Sequence, residues 1–214
     1  MTAPAHPLSG RRGQAAVNDQ RIIEAARAVF MADPAAPIAA VAEHAGVGMS
    51  ALYRRYPGKE DLLRRLCADG LERYIAEVEA ALADDGDPWA VFRAFMVRAV
   101  EANTNSLVTR LAGTFTPTPE LYEAADRAQR LNVELFERTQ ASGAIRPDVE
   151  VNDLGPIYEQ LSAVRLGDER RTRQLRQRYL QLFLDAIHQP SDDPLPGPAP
   201  TWDELAGRWK GPAG

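Results

Sequence analysis

Apolar residues recur at intervals of three and four along most of this chain, the rhythm of helices with one buried face, and no segment alternates at the two-residue period of a strand. In "NDQRIIEAARAVFMA", Ile22, Ile23, Ala26, Val29 and Phe30 form one stripe, and Asn18 or Asp19 is placed to cap the helix at its start. "DPAAP" (33–37) breaks the pattern, and Pro37 suits the first turn of a second helix with Ile38, Val41, Ala42 and Ala45 on one side. Gly46-Val47-Gly48 predicts a turn, with Gly46 in the left-handed position that closes a helix. The short "MSALYRRY" follows, and Pro57-Gly58 ends it. A long helix is then expected from Lys59–Asp61 to about Ala83, with Leu62, Leu63, Leu66, Leu71, Ile75 and Val78 inside.

Pro88 opens a further helix that carries Trp89, Phe92, Phe95, Met96, Ala99 and Val100. Residues 104–113 are ambiguous, with a shorter helix the expectation, and "TFTPTPE" is a loop. The long helix in "LYEAADRAQRLNVELFERTQA" stops at Gly143, and "IRPDVEVND" is extended or looped. Two more helices are expected in "DLGPIYEQLSAVRLG", despite its Gly155-Pro156, and in "ERRTRQLRQRYLQLFLDAIH". "QPSDDPLPGPAPTWDELAGRWKGPAG" reads as a mobile Pro/Gly-rich tail, within which Trp202, Leu205 and Trp209 are spaced as one face of a short helix able to dock. The predicted fold class is all-α.

At 214 residues and 45% hydrophobic content, the chain can bury a core as one large domain or two small ones. No run of about 18 apolar residues is present, so no membrane partner is expected. The start, "MTAPAHPLSGRRGQAAVND", has no apolar stretch of the kind a secretion signal needs, and the expected location is the cytoplasm. A single cysteine, Cys67, excludes a disulfide within the chain and reads as a small buried apolar residue. With three scattered histidines, neither a metal site nor a cofactor is expected. The net charge of −5 argues against a nucleic-acid partner until its distribution is considered: residues 1–66 carry +3 and the remainder −8. A basic head on an acidic body suits a protein that touches phosphate at one end only.

Residues 21–63, "RIIEAARAVFMADPAAPIAAVAEHAGVGMSALYRRYPGKEDLL", hold three short helical stretches, a glycine turn and a tight aromatic-basic segment. "AEHAGV" leading into "ALYRRYPGKEDLL", with Leu52-Tyr53, an aromatic three residues on at Tyr56, and Lys59-Glu60 opening the next helix, resembles the DNA-binding domain of the TetR/AcrR family of bacterial transcriptional repressors. The remainder matches in plan, and "GAIRPDVEVNDL" looks like that family's connection into its dimerisation helices. The resemblance implies a flexible basic N-terminal arm (1–17), a three-helix helix-turn-helix domain (18–63), a larger helical effector-binding and dimerisation domain (64–189) and the tail (190–214). It further implies a homodimer on a double-stranded DNA operator, each subunit placing one recognition helix in a major groove, with a small molecule controlling the spacing of the two. The chain departs from the family pattern at Ala36-Pro37, where a hydroxyl residue often caps the second helix, and at Val47-Gly48, where Val-Ser is usual. Two phosphate-binding hydroxyls are therefore missing, although Gly48 still serves as an N-cap.

Within that frame, Leu52 and Tyr56 are four apart and are expected to face the small domain's core. The candidates facing DNA are Gly48, Met49, Ser50, Tyr53 and Arg54, with Arg54 suited to guanine O6 and N7 and Tyr53 to a phosphate. Lys59 is expected to hold a phosphate together with the free N–H groups of its helix start, and Arg11 and Arg12 to reach a minor groove. Trp89, Phe92, Met96, Phe115, Tyr122 and Tyr158 offer bulk for an apolar or aromatic effector, as does Phe95. Arg110, Asn103 and Gln160 offer polar contacts to it. The stripes Ile157, Leu161, Val164 and Leu175, Tyr179, Leu182, Phe183 are the expected dimer interface, and covering the monomer core is their other use.

The leading reading is a DNA-binding regulator, a repressor released by an effector. A second keeps the DNA-binding head and makes the large domain a plain dimeriser or protein-docking surface, its aromatics forming solid core. An enzyme is disfavoured: there is no His-Glu-x-x-His, no Gly-rich phosphate loop and no Glu-x-x-His pair.

Overall fold

The computed structural model of the chain describes residues 8–102, 111, 113–188 and 193–207, with side chains described from Val17 onward. Among the described residues the regular structure is helical throughout, without strands. None of these helices is long and apolar enough to cross a membrane. The chain divides into two compact units, Met1–Leu66 and Cys67–Gly214.

The first unit contains α1 (Leu8–Ala32), α2 (Ile38–Ala45), α3 (Met49–Arg55) and the start of α4 (Lys59–Ala83). Its core is mainly aliphatic: Ile22, Ile23 and Ala26 of α1, Val41 of α2, Leu52 of α3 and Leu62 and Leu63 of α4 are buried, as is Phe30. α1 packs on α2, and α2 on α3. α1 starts ten residues before the cap position expected at Asn18 or Asp19. No proline interrupts Gln14-Ala15-Ala16-Val17, which continues the helix backward, and the Asp19 carboxylate is used elsewhere. Residues 8–17, expected in a flexible arm, are accordingly helical.

The second unit holds the rest of α4, then α5 (Pro88–Ala102), α6 (Pro119–Ala141), a single 3-10 turn (Val151–Asp153), α7 (Leu154–Ala163), α8 (Glu169–His188) and α9 (Trp202–Gly207). α5 lies at the centre and packs on α6, α7 and α8. Pro156 falls in the first turn of α7, where its missing N–H interrupts no hydrogen bond, so the helix survives the Gly-Pro pair. The C-terminus of α4 is closed by Arg138, whose Nη1 donates to the Leu82 carbonyl at 2.9 Å and Nη2 to Ala81 at 2.8 Å. A guanidinium there meets the negative end of the helix dipole and satisfies carbonyls that have no partner within the helix.

The tail, expected to be mobile, is tied down over residues 193–207. The Arg146–Asp148 pair holds it: Arg146 Nη2 donates to the Asp193 carbonyl at 2.9 Å, and the Leu195 N–H donates to Asp148 Oδ2 at 2.8 Å. Arg146, and then the Leu195 N–H, lower the Asp148 carboxyl to about 2. Farther on, Leu205 packs against Gly155, its methyl carbons 3.6 and 3.7 Å from where a Cβ would stand. Trp202 is half-buried, while Trp209 lies outside the described residues.

Candidate nucleic-acid interface

The turn between α2 and α3 is built from two glycines with different tasks. Gly46 has φ +64, a conformation costly for any residue with a Cβ, and its N–H returns to carbonyls at the end of α2. Gly48 is extended (φ −70, ψ 145), caps α3 without any side chain, and has nothing within 4 Å of its virtual Cβ. The chain therefore reverses direction and restarts as a helix within three residues. α3 ends at Tyr56, whose N–H bonds the Leu52 carbonyl at 2.8 Å before Pro57 stops propagation.

This short helix has two faces. Leu52 is fully buried and Tyr56, its cap, is 5% exposed, so the spacing of four residues seats α3 on the unit's core. Met49, Ser50, Tyr53, Arg54 and Arg55 are exposed, Tyr53 by 46%. The solvent face thus carries a hydroxyl, a phenol and guanidinium groups on a rigid base, chemistry suited to base edges and phosphates.

Lys59 is placed differently from expectation. Its ammonium faces inward, donating to the Pro34 carbonyl at 3.0 Å and the Ala36 carbonyl at 2.8 Å, and stands 5.1 Å from the centre of the Phe30 ring. Lys59 therefore fastens the α1–α2 loop, where the sequence had suggested a phosphate contact. Ala36 and Pro37 leave that loop with no side-chain hydroxyl, and the lysine supplies donors to its carbonyls instead. Arg11 and Arg12 stand on the first turns of α1, and their side chains lie outside those described.

Sequence reasoning missed the junction of α1 with α3. Asp19 receives Arg55 Nε at 2.8 Å, Arg55 Nη2 at 2.9 Å and the Tyr56 hydroxyl at 2.6 Å. Arg55 holds the Asp19 carboxyl below its usual range, against the opposing effect of partial burial, and the Tyr56 hydroxyl adds to the lowering. The same pairing raises the Arg55 guanidinium, and burial, then Asp19, pushes the Tyr56 phenol up to about 12. The partners are 36 and 37 residues apart, beyond any local spacing rule.

In the larger unit the effector candidates separate. Phe92, Met96 and Tyr158 meet in one buried cluster with Phe95, and Trp89 packs at its margin, stacked on the His188 ring at 4.2 Å. Phe115 is buried, Tyr122 is 41% exposed and Gln160 is exposed, whereas Arg110 and Asn103 lie outside the described residues. The cluster contains a polar chain that includes a further residue, Tyr74. The Tyr158 hydroxyl donates to Met96 Sδ at 2.9 Å beside the Tyr74 hydroxyl, which donates to Asn132 Oδ1 at 2.8 Å. Burial pushes the Tyr74 phenol up to about 12 and holds the Tyr158 phenol well above its usual range.

The expected interface residues also divide. Leu161 and Leu175 are buried within the protomer; Ile157, Val164 and Phe183 are partly covered; Tyr179 and Leu182 are 41% and 56% exposed.

Comparison with known proteins agrees with this arrangement. Residues 22–66 match the family described as bacterial regulatory proteins, tetR family, and residues 84–189 match the C-terminal domain of SbtR-like transcriptional regulators. No curated protein matches significantly. Among solved structures, the TetR regulator SCO0520 of Streptomyces coelicolor is 23% identical over 79% of this chain and 97% of its own, with a TM-score of 0.56. A TetR regulator of Mycobacterium vanbaalenii is 26% identical over 83% and 99%, TM-score 0.52. LfrR of Mycobacterium smegmatis, solved with proflavine, is 22% identical over 77% and 95%, TM-score 0.58. The helix-turn-helix of the first unit and the helical body of the second thus place the chain in the TetR family of DNA-binding transcriptional regulators.

Proposed function

We propose that the protein is a repressor that binds a palindromic operator as a homodimer and leaves it when a small apolar or aromatic effector binds the larger unit. The exposed Met49, Ser50, Tyr53 and Arg54 on a helix anchored by Leu52 carry this reading. Arg54 reads guanine, Tyr53 positions the helix on a phosphate, and Gly48 allows close backbone approach. Arg11 and Arg12, on the first turns of α1, reach a minor groove. Lys59 supports the head from within. Tyr179 and Leu182 supply the uncovered apolar part of the dimer face, with Ile157, Val164 and Phe183 beside them. Pairing sets two recognition helices ~34–36 Å apart, one turn of DNA.

Support for an effector comes from the polar chain inside an otherwise apolar cluster, and from the likeness in fold to LfrR, which was solved with proflavine. Release is a population shift: the effector must bind more tightly to the protomer spacing that no longer fits successive grooves. A second reading, a dimer without an effector, is favoured by the burial of Phe92 and Met96, which are 1% and 0% exposed. Selecting bound fragments from the source genome at near-physiological salt, followed by footprinting, tests the operator. Inverted repeats protected over about two turns support the proposal, and random fragments alone overturn it. Adding candidate molecules to the footprint then separates the two readings.

A further inference from the structure

The Asp19–Arg55 pair stands at the edge of the DNA-reading face and is unexplained by fold alone. Both guanidinium donors on one edge are engaged, Nε at 2.8 Å and Nη2 at 2.9 Å. Neither bond to Asp19 uses Nη1, and the Arg55 side chain is 62% exposed against 19% for Asp19. An α-helix advances about 100° per residue, so Arg55 lies on the flank beside Arg54, where a recognition helix meets the backbone of the groove wall and not its bases. The carboxylate is itself immobilised, because it also accepts the hydroxyl of the buried Tyr56. An exposed ion pair contributes little to stability, and an uncompensated carboxylate beside phosphates repels them.

We propose that Asp19 is a positioning residue that grips one edge of the Arg55 guanidinium and thereby presents its other edge to a backbone phosphate flanking the recognition helix. Arg55 is the contact, and Asp19 removes the freedom a long side chain would otherwise lose on binding.

The test measures affinity for a random-sequence 40-bp duplex as a function of potassium chloride concentration, with the thermal midpoint of every variant. Arg55→Ala flattens the log–log salt slope by about 1.8, one phosphate contact in each protomer of the dimer, and Asp19→Asn keeps the wild-type slope while weakening binding about tenfold at each salt concentration. The charge-swapped pair, Asp19→Arg with Arg55→Asp, restores an ion pair but not the acceptor for the Tyr56 hydroxyl, and regains none of the DNA affinity. Recovery of affinity by the swap would make the pair a structural tie and overturn the proposal, as would an unchanged slope in Arg55→Ala. Tighter binding by Asp19→Asn would overturn it too, since Asp19 would then be withholding Arg55 from DNA. Wild-type protein that bound no duplex would instead remove the DNA-binding assignment, a result distinct from unaffected variants of a binding protein.

Discussion

The two units keep their polar chemistry in opposite places. In the first, an aliphatic core carries charged ties at its rim: Asp19 with Arg55 and Tyr56, and Lys59 on the Pro34 and Ala36 carbonyls. In the second, aromatic rings join the aliphatic core and some polar atoms lie inside it, with Tyr74 on Asn132 and Tyr158 on Met96. A rim of charged groups holds a small unit rigid while leaving one helix face open, which suits recognition of a polyanion. Phenols deep in an apolar core do the reverse, because each hydroxyl must find a partner where water is absent. The Tyr158 hydroxyl is partnered by the Met96 thioether and the Tyr74 hydroxyl, whereas Tyr74 also donates onward to the Asn132 amide, so Tyr74 is the more heavily used of the two.

The largest effect is expected from Phe92→Ala, which empties a side chain 1% exposed and should cost about 3–5 kcal/mol in chemical denaturation. A loss below about 1 kcal/mol would mean that Phe92 lines open space and is not core. Lys59→Ala should cost about 2 kcal/mol through lost charge-assisted hydrogen bonds to the Pro34 and Ala36 carbonyls. Its DNA salt slope should stay at the wild-type value; a slope flatter by about 1.8, one phosphate in each protomer, would restore the phosphate role. Tyr74→Phe, which leaves Asn132 without its donor and Tyr158 without an oxygen partner, should cost about 1–2 kcal/mol, and Tyr158→Phe about 1 kcal/mol. Equal losses would erase the distinction drawn between the two hydroxyls.

The tail gives a pH-dependent test. The Asp148 carboxyl is depressed from 3.8 to about 2, so its tie is fully present above pH 3.8 and is lost as pH falls through about 2. Pepsin cleavage within 193–207 should therefore accelerate between pH 4 and 2, while Asp148→Asn should be cleaved fast already at pH 4. The smallest effect belongs to Gly48→Ser, where open space accommodates the side chain and a hydroxyl cap is missing. It should add a few tenths of a kcal/mol to the stability of the first unit, read as a small rise in thermal midpoint.

Much of the head was legible because its signals are local. Gly46 in the left-handed region, Leu52 and Tyr56 four residues apart, and Pro57 as a stop each follow from short-range rules of backbone and helix geometry. Lys59 was misread for the opposite reason. The sequence places it at a helix start, but the carbonyls it serves come from 23 and 25 residues earlier, and a long flexible side chain donates to whichever acceptors the fold leaves open. Leu161 and Leu175 show the same limit, since an apolar stripe records which face is covered without recording whether its own chain or another covers it.

The helical class, the glycine turn and the split of the recognition helix into a buried and an exposed face follow from the residues alone. Those features depend on period and on φ, quantities set within one or two turns of chain. Only the tertiary structure decided that Asp19 serves Arg55 and Tyr56, that Lys59 faces inward, that Tyr158 meets a thioether, and that the tail is bound through Arg146 and Asp148. Side-chain hydrogen bonds of this kind join groups brought together by packing, and their partners lie too far apart in sequence for any periodicity to carry them.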